Sequence, residues 1–150
     1  MPTVIPIDDL KARVGQQLGH SEWQTITQDQ VNLFADATGD HQWIHVDPER
    51  AKAGPFGSPI AHGYLTLSLV PALLNQVLAV DGITMAVNYG ANRVRFPAPV
   101  PVGSELRMGA TLSEVEEVSG GVQVTLETVF EVKDAPKPSC VAQVVYRFYR

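Results

Sequence analysis

The sequence predicts an α+β fold, a buried helix followed by an antiparallel sheet. Three observations carry that prediction. From His62 to Val80 the chain reads HGYLTLSLVPALLNQVLAV, apolar nearly all round, as befits a helix enclosed by other elements. From Ile83 onward the pattern changes to alternation, the signature of half-buried strands. Gly and Pro punctuation divides a mainly helical first part from a mainly strand second part, without internal repeats or long linkers.

Taken in order, Ser21 to Thr27 (SEWQTIT) is β-branched and aromatic enough for a short strand. A helix follows: Thr27 and Gln30 form a capping-box pattern, and Val31, Phe34 and Ala35 make one apolar face that ends near Gly39. The segment from Asp40 to Pro59 reads as irregular, with Pro48 starting one helical turn through Lys52. The apolar helix from His62 comes next, and Pro71 predicts a bend or local break within it. Four strands then follow: ITMAVNYGANRVRF, ELRMGATLSEVEEV, VQVTLETVFEV and SCVAQVVYRFYR. A proline-rich link, PAPVPVGS, joins the first two, and Ser119-Gly120-Gly121 and the segment from Asp134 to Pro138 supply the later turns.

Bulk properties bound the function. A chain of 150 residues with 45% hydrophobic content suits a single domain over 1–150. Its net charge of −5 and the lack of a basic stripe argue against a nucleic-acid partner. No stretch is apolar for long enough to cross a membrane, and the N-terminal residues do not resemble a secretory signal, so a cytoplasmic location is expected. Cys140, the lone cysteine, lies in an apolar run where packing is the expected role.

Polar side chains concentrate in Gly39-Asp40-His41-Gln42-Trp43-Ile44-His45-Val46-Asp47. If the segment turns, Asp40 and His45 converge, and a carboxylate and an imidazole can hold a water between them for general acid–base chemistry. Alone, the pair also fits an Asp that caps a turn and a His that satisfies a loop carbonyl. Ile60-Ala61-His62-Gly63 opens the apolar helix, whose first N–H groups lack partners and can polarise a carbonyl; Gly63 would permit a close approach or merely ease a tight turn. His41, His45, Asp47 and His62 raise a metal reading, which is set aside because the intervening residues do not read as the helix that would let the first two histidines share an ion.

The blocks GDHQWIHVD, SPIAHGYLTLSLVPALL and NYGANRVRFPAPVPVGSELR resemble, in order and spacing, the MaoC-like or hydratase 2 branch of the hot dog fold. The resemblance spans roughly Thr27 to Arg107. It implies a long central helix wrapped by an antiparallel sheet, and an (R)-specific enoyl-CoA hydratase that adds water to trans-2-enoyl-CoA to give (R)-3-hydroxyacyl-CoA. Asp40 and His45 become the catalytic pair and Gly63 the backbone donor to the thioester carbonyl. Ile60, Ala61, His62, Gly63, Ala86, Val87, Asn88, Tyr89, Pro97, Ala98 and Pro99 become substrate contacts, with the Ala86–Tyr89 strand beside the helix start. Arg93 and Arg95 share a strand face and suit a phosphate-rich head if that face is open.

One departure stands out: Gln42-Trp43 replaces the family's Asn-Pro, with Trp43 either covering the segment or narrowing the acyl channel. No metal, nucleotide or flavin is called for, because thioester conjugation already activates the double bond. The partners implied are an acyl-CoA or acyl carrier protein thioester and a second copy of the chain, burying the sheet's other face in a homodimer. A hot dog thioesterase and a non-catalytic acyl-thioester-binding subunit are the alternatives.

Overall fold

The computed structural model describes residues 1–150. The chain opens with β1 (Thr3–Pro6), a 3-10 helix (Ile7–Arg13), β2 (Gln17–His20) and β3 (Gln24–Thr25). Helices α1 (Gln28–Thr38), α2 (Trp43–Val46), α3 (Pro48–Lys52), α4 (Gly63–Ser68) and α5 (Val70–Leu74) follow. β4 (Leu78–Asp81), β5 (Met85–Arg95), β6 (Glu105–Val118), β7 (Gly121–Val132) and β8 (Cys140–Tyr149) complete it. The α+β class is as expected, with an antiparallel sheet in the order β2-β6-β7-β8-β5 and β3 also pairing with β6.

Period-two alternation builds the sheet's inner face: Leu106, Met108, Ala110 and Leu112 of β6, Val122, Val124, Leu126 and Phe130 of β7, and Ala142, Val144, Tyr146 and Phe148 of β8 are buried. They meet Leu65, Val70, Leu73 and Leu74 of α4 and α5 in one core. Cys140 belongs to it, and burial pushes its thiol up to about 11, which suits a packing role.

The opposite face is polar: Arg107 pairs with Glu131, Gln143 donates to Glu127 and Arg147 donates to Gln123. A second copy is therefore not called for on that face, contrary to the expectation from the alternation. The outer edge of β5, which pairs only with β8, is unpaired.

Several expectations are corrected. The apolar run from His62 forms α4 and α5 with a break at Leu69, the local break that Pro71 predicts because it has no N–H for a continuous ladder, so the central helix is in two short pieces. The last residues of the run are not helical at all, because Leu78–Asp81 pairs in parallel with Thr3–Pro6. The strand expected over Ser21–Thr27 shrinks to Gln24–Thr25, since Ser21 leaves the ladder to exchange hydrogen bonds with the backbone of Met108. No helix is long and apolar enough to cross a membrane.

Two adjacent glycines make the β6–β7 turn for different reasons. Gly120 has φ +82, which L side chains rarely adopt, whereas a Cβ on Gly121 would lie 2.0 Å from the Phe148 carbonyl oxygen. Gly121→Ala should therefore lower stability by about 2 kcal/mol or more in urea denaturation, while Gly90→Ala, which meets open space at an ordinary φ, stays within about 1 kcal/mol of the parent. Equal unfolding midpoints for the two variants would refute this account of the turn.

Candidate active site

Helix α1 delivers the first polar group. Thr27 caps it by accepting from the Gln30 N–H at 3.1 Å, and Gly39, at φ +85, stops it and turns the chain out. Asp40 follows in irregular backbone and is exposed. Its own tethers on the loop side are long: its N–H lies 3.5 Å from Thr38 Oγ1, and its Oδ1 accepts from the Gln42 N–H at 3.4 Å.

The residues after Asp40 were expected to be irregular, yet Trp43–Val46 forms the single turn α2. That turn carries His45 inward, where it is buried. Its Nδ1 lies 2.7 Å from the Ile60 carbonyl oxygen, and Gln28 Nε2 donates to the His45 carbonyl at 2.8 Å. A carbonyl oxygen only accepts, so Nδ1 carries the hydrogen and a neutral His45 presents a free lone pair at Nε2. His41, outside this turn, points away to Asp36 at 3.0 Å, whose hydrogen bond raises its pKa.

His62 comes in from the other side, directly before α4. It is buried, its Nε2 lies 2.9 Å from the Asp40 carbonyl oxygen, and its ring stacks on His45 at 3.9 Å and on Phe34 at 4.9 Å. The donor atoms of Asp40, His45 and His62 all lie within 4.8 Å of one another, a gap that one water can bridge. These are also the residues closest to a metal-binding set. Each imidazole commits one nitrogen to a carbonyl oxygen, which leaves His45 Nε2 and His62 Nδ1 as the uncommitted nitrogens of the stacked pair.

Two cavities meet at this point. A cleft of about 300 Å³ is lined by His45, Ile60, Ala61, Gly63, Pro97, Ala98 and Pro99, all named from sequence. It also takes in Phe56, Thr66, Phe96 and Ser139, which sequence reasoning missed. The signal for Phe56 was present, an aromatic side chain in a Gly- and Pro-rich loop where nothing local buries it. A second cavity of about 320 Å³ holds Asp40 and His62 and shares His45 and Gly63 with the first. Gly63 opens α4, where the first N–H groups have no intrahelical partner. A Cβ there would lie 3.0 Å from the Phe96 ring, so the glycine admits this aromatic wall of the cleft as well as any ligand.

Other expected contacts fall elsewhere. The strand Ala86–Tyr89 does not run beside the helix start: β5 runs back along α4 and α5, so Phe96 reaches Gly63 while Ala86 and Asn88 line one cavity with Pro71 and Leu74. Val87 and Tyr89 alternate to the other side, with the Arg147 guanidinium 3.8 Å from the Tyr89 ring. Arg93 and Arg95 line a third cavity that shares Pro97 with the cleft. Trp43 packs under Arg50 at 4.4 Å and against Gly54, covering the segment and not narrowing the cleft. Ser68 donates to the Tyr64 carbonyl at 2.6 Å, within α4.

The hydrogen-bond geometry fixes opposite tautomers for the stacked histidines. In long-range 15N–1H NMR spectra, neutral His45 should show a protonated Nδ1 and a bare Nε2, and His62 the reverse. A protonated Nε2 on neutral His45 would remove the lone pair from the cleft.

The family model described as "MaoC like domain" matches residues 9–133. The chain is 56% identical over 149 residues to a protein named 3-hydroxyacyl-thioester dehydratase Z from Mycobacterium tuberculosis, covering 99% of both chains. It is 45% identical over 141 residues to nodulation protein N of Rhizobium leguminosarum bv. viciae, covering 92% of this chain and 88% of that one. Among solved structures, an (R)-hydratase from A. caviae superposes with a TM-score of 0.73 at 27% identity, covering 89% of this chain and 94% of the other.

Proposed function

The chain belongs to the MaoC-like dehydratase family with its hot dog fold and is a hydro-lyase, and we propose that, as one domain, it interconverts trans-2-enoyl and (R)-3-hydroxyacyl thioesters. The observation that carries this reading is the meeting of Asp40, His45 and the Gly63 helix start at one junction of two cavities. In the hydration direction, Asp40 accepts one hydrogen of a water and orients it, while His45 Nε2 takes the other proton. The hydroxyl forms its bond to C3, and the electron pair of the double bond moves onto the thioester oxygen, which the N–H groups at the start of α4 receive. The proton then passes from His45 to C2, so the water is added whole and both side chains return to their starting state. Dehydration is the same path reversed, in keeping with the name of the mycobacterial relative.

The course of the acyl chain follows from three cavities in a row between the broken helix and the sheet. The cleft touches Gly63 and Thr66, Phe96 of the β5 end and Ser139 before β8. The next cavity touches Leu67 and Val70, Gly90 and Ala91, and Val144. The last, about 570 Å³ and mostly apolar, touches Pro71 and Leu74, Ala86 and Asn88, and Tyr146 and Phe148. All three elements thus progress together away from the cleft along the exposed strand β5, over about 16 Å of helix length. Pro97, Ala98 and Pro99 form the rim, and Arg93 and Arg95 beside Pro97 offer charge to the phosphates of a CoA or acyl carrier protein arm.

A second copy of the chain is the partner that the exposed edge of β5 fits. Its 11 residues carry only Arg93 and Arg95 as charges and leave Met85 and Tyr89 exposed, a template for edge-to-edge pairing. Sedimentation velocity should return twice the chain mass, and a monomer at micromolar concentration would remove the homodimer from this reading.

Activity is tested by loss of enoyl-thioester ultraviolet absorbance with a thiol trap in parallel. Asp40→Asn and His45→Gln should each lose at least about 100-fold in kcat without releasing thiol. Leu74→Trp should lower kcat/KM about tenfold on a long enoyl chain while leaving crotonyl-CoA unaffected. Thiol release by the parent would make the protein a thioesterase, and silence in both channels would make it a binding subunit.

A further inference from the structure

We propose that His62 is a positioning residue for the water-addition site, acting as a clamp that holds Asp40 at its working distance from His45. The inference rests on the Asp40 and His45 roles proposed above.

Asp40 sits in irregular, exposed backbone, where a carboxylate would normally sample many positions. The two bonds that it makes to its own loop, at 3.5 and 3.4 Å, lie at the limit of hydrogen-bond geometry. Its one short tether is the bond of 2.9 Å from His62 Nε2 to its carbonyl oxygen, which joins residues far apart in sequence. Because the carbonyl can only accept, His62 carries its hydrogen on Nε2, and its Nδ1 is left buried with no partner. Leaving a buried acceptor unsatisfied is costly, and a side chain kept for filling space alone would not incur that cost. The bond to Asp40 offsets it.

The same ring also sets the second reacting group. It lies between Phe34 at 4.9 Å and His45 at 3.9 Å, so the three rings form a column whose top is the His45 imidazole. His45 cannot slide toward Phe34 while His62 occupies the middle, and its remaining freedom is removed by the Ile60 carbonyl. His62 therefore fixes the backbone of one reacting residue and the ring face of the other, and so determines the gap that the water fills. A misplacement of about 1 Å in such a gap is worth on the order of 100-fold in rate.

The test compares His62→Asn, whose amide is too short to reach Asp40, with His62→Gln, whose amide nitrogen falls near the position of Nε2. A third variant, His62→Phe, keeps the ring column and removes the donor. The expected result is a loss of about 10- to 100-fold in kcat for His62→Asn and His62→Phe with KM changed less than about threefold, and recovery to within about fivefold of the parent in His62→Gln. The Asp40 carbonyl 13C shift, read without substrate, should move in the Asn and Phe variants and return in Gln. Parent-like kcat in His62→Asn or His62→Phe, an equal loss in Asn and Gln, or an effect confined to KM would each overturn the clamp. If the Phe variant does not fold, the Asn and Gln pair decides. If Asp40→Asn and His45→Gln prove fully active, the acid–base reading falls, and the Asp40 carbonyl shift still reports whether His62 holds that residue.

Discussion

Residues 59–61 form the constraint on which the site depends. The Ile60 N–H donates to the Ile44 carbonyl and the Ile60 carbonyl accepts from His45 Nδ1, so one residue holds α2 on both of its polar groups. On the other side Ala61 N–H reaches Val100 and Val102 N–H reaches Pro59, which ties the same three residues to the proline-rich link after β5. The cleft is the space left between these two attachments. A short, buried segment of backbone thereby sets the tautomer of His45, the start of α4 and the rim at Pro97–Pro99 at once.

Around that segment the two proposed reacting groups are held very differently. His45 is buried, bonded and stacked, as a side chain with a single required orientation should be. Asp40 is exposed at the end of α1, where the left-handed Gly39 ends the helix, and depends on a histidine from a distant part of the chain for its short tether. Exposure leaves Asp40 open to water, and the tether limits the loop motion that exposure would otherwise bring.

The break between α4 and α5 also has a consequence for the shape of the site. Pro71 ends the first hydrogen-bond ladder, and the second helix stops at Leu74, before the chain leaves to pair β4 with β1. Leu74, Leu78 and Val80 then wall the largest cavity against β5 and β8, opposite Ala86 and Phe148. A helix running on through Val80 would place helix where that wall is formed. The same β5 that closes the row of cavities on one side leaves its other edge unpaired, so the proposed acyl path and the proposed dimer edge lie on one strand.

By itself the sequence determined what local chemistry controls. The alternation of β5 to β8, the Thr27 cap and Gly39 stop of α1, the Pro48 turn and the residues of the two polar blocks were legible because each depends on neighbours within a few positions. Tertiary structure decided the rest. That Leu78–Asp81 is a strand follows from pairing with Thr3–Pro6 at the other end of the chain, which no local pattern records. That Trp43–Val46 winds into a turn follows from the bonds of Ile60 and Gln28, and that Ala86 faces Leu74 rather than Gly63 follows from the direction in which β5 runs beside the helices. His62 read from sequence as one substrate contact among several. Its bond to Asp40 and its stack on His45 exist only because α1, α2 and α4 converge, and convergence of distant segments is what long-range packing alone supplies.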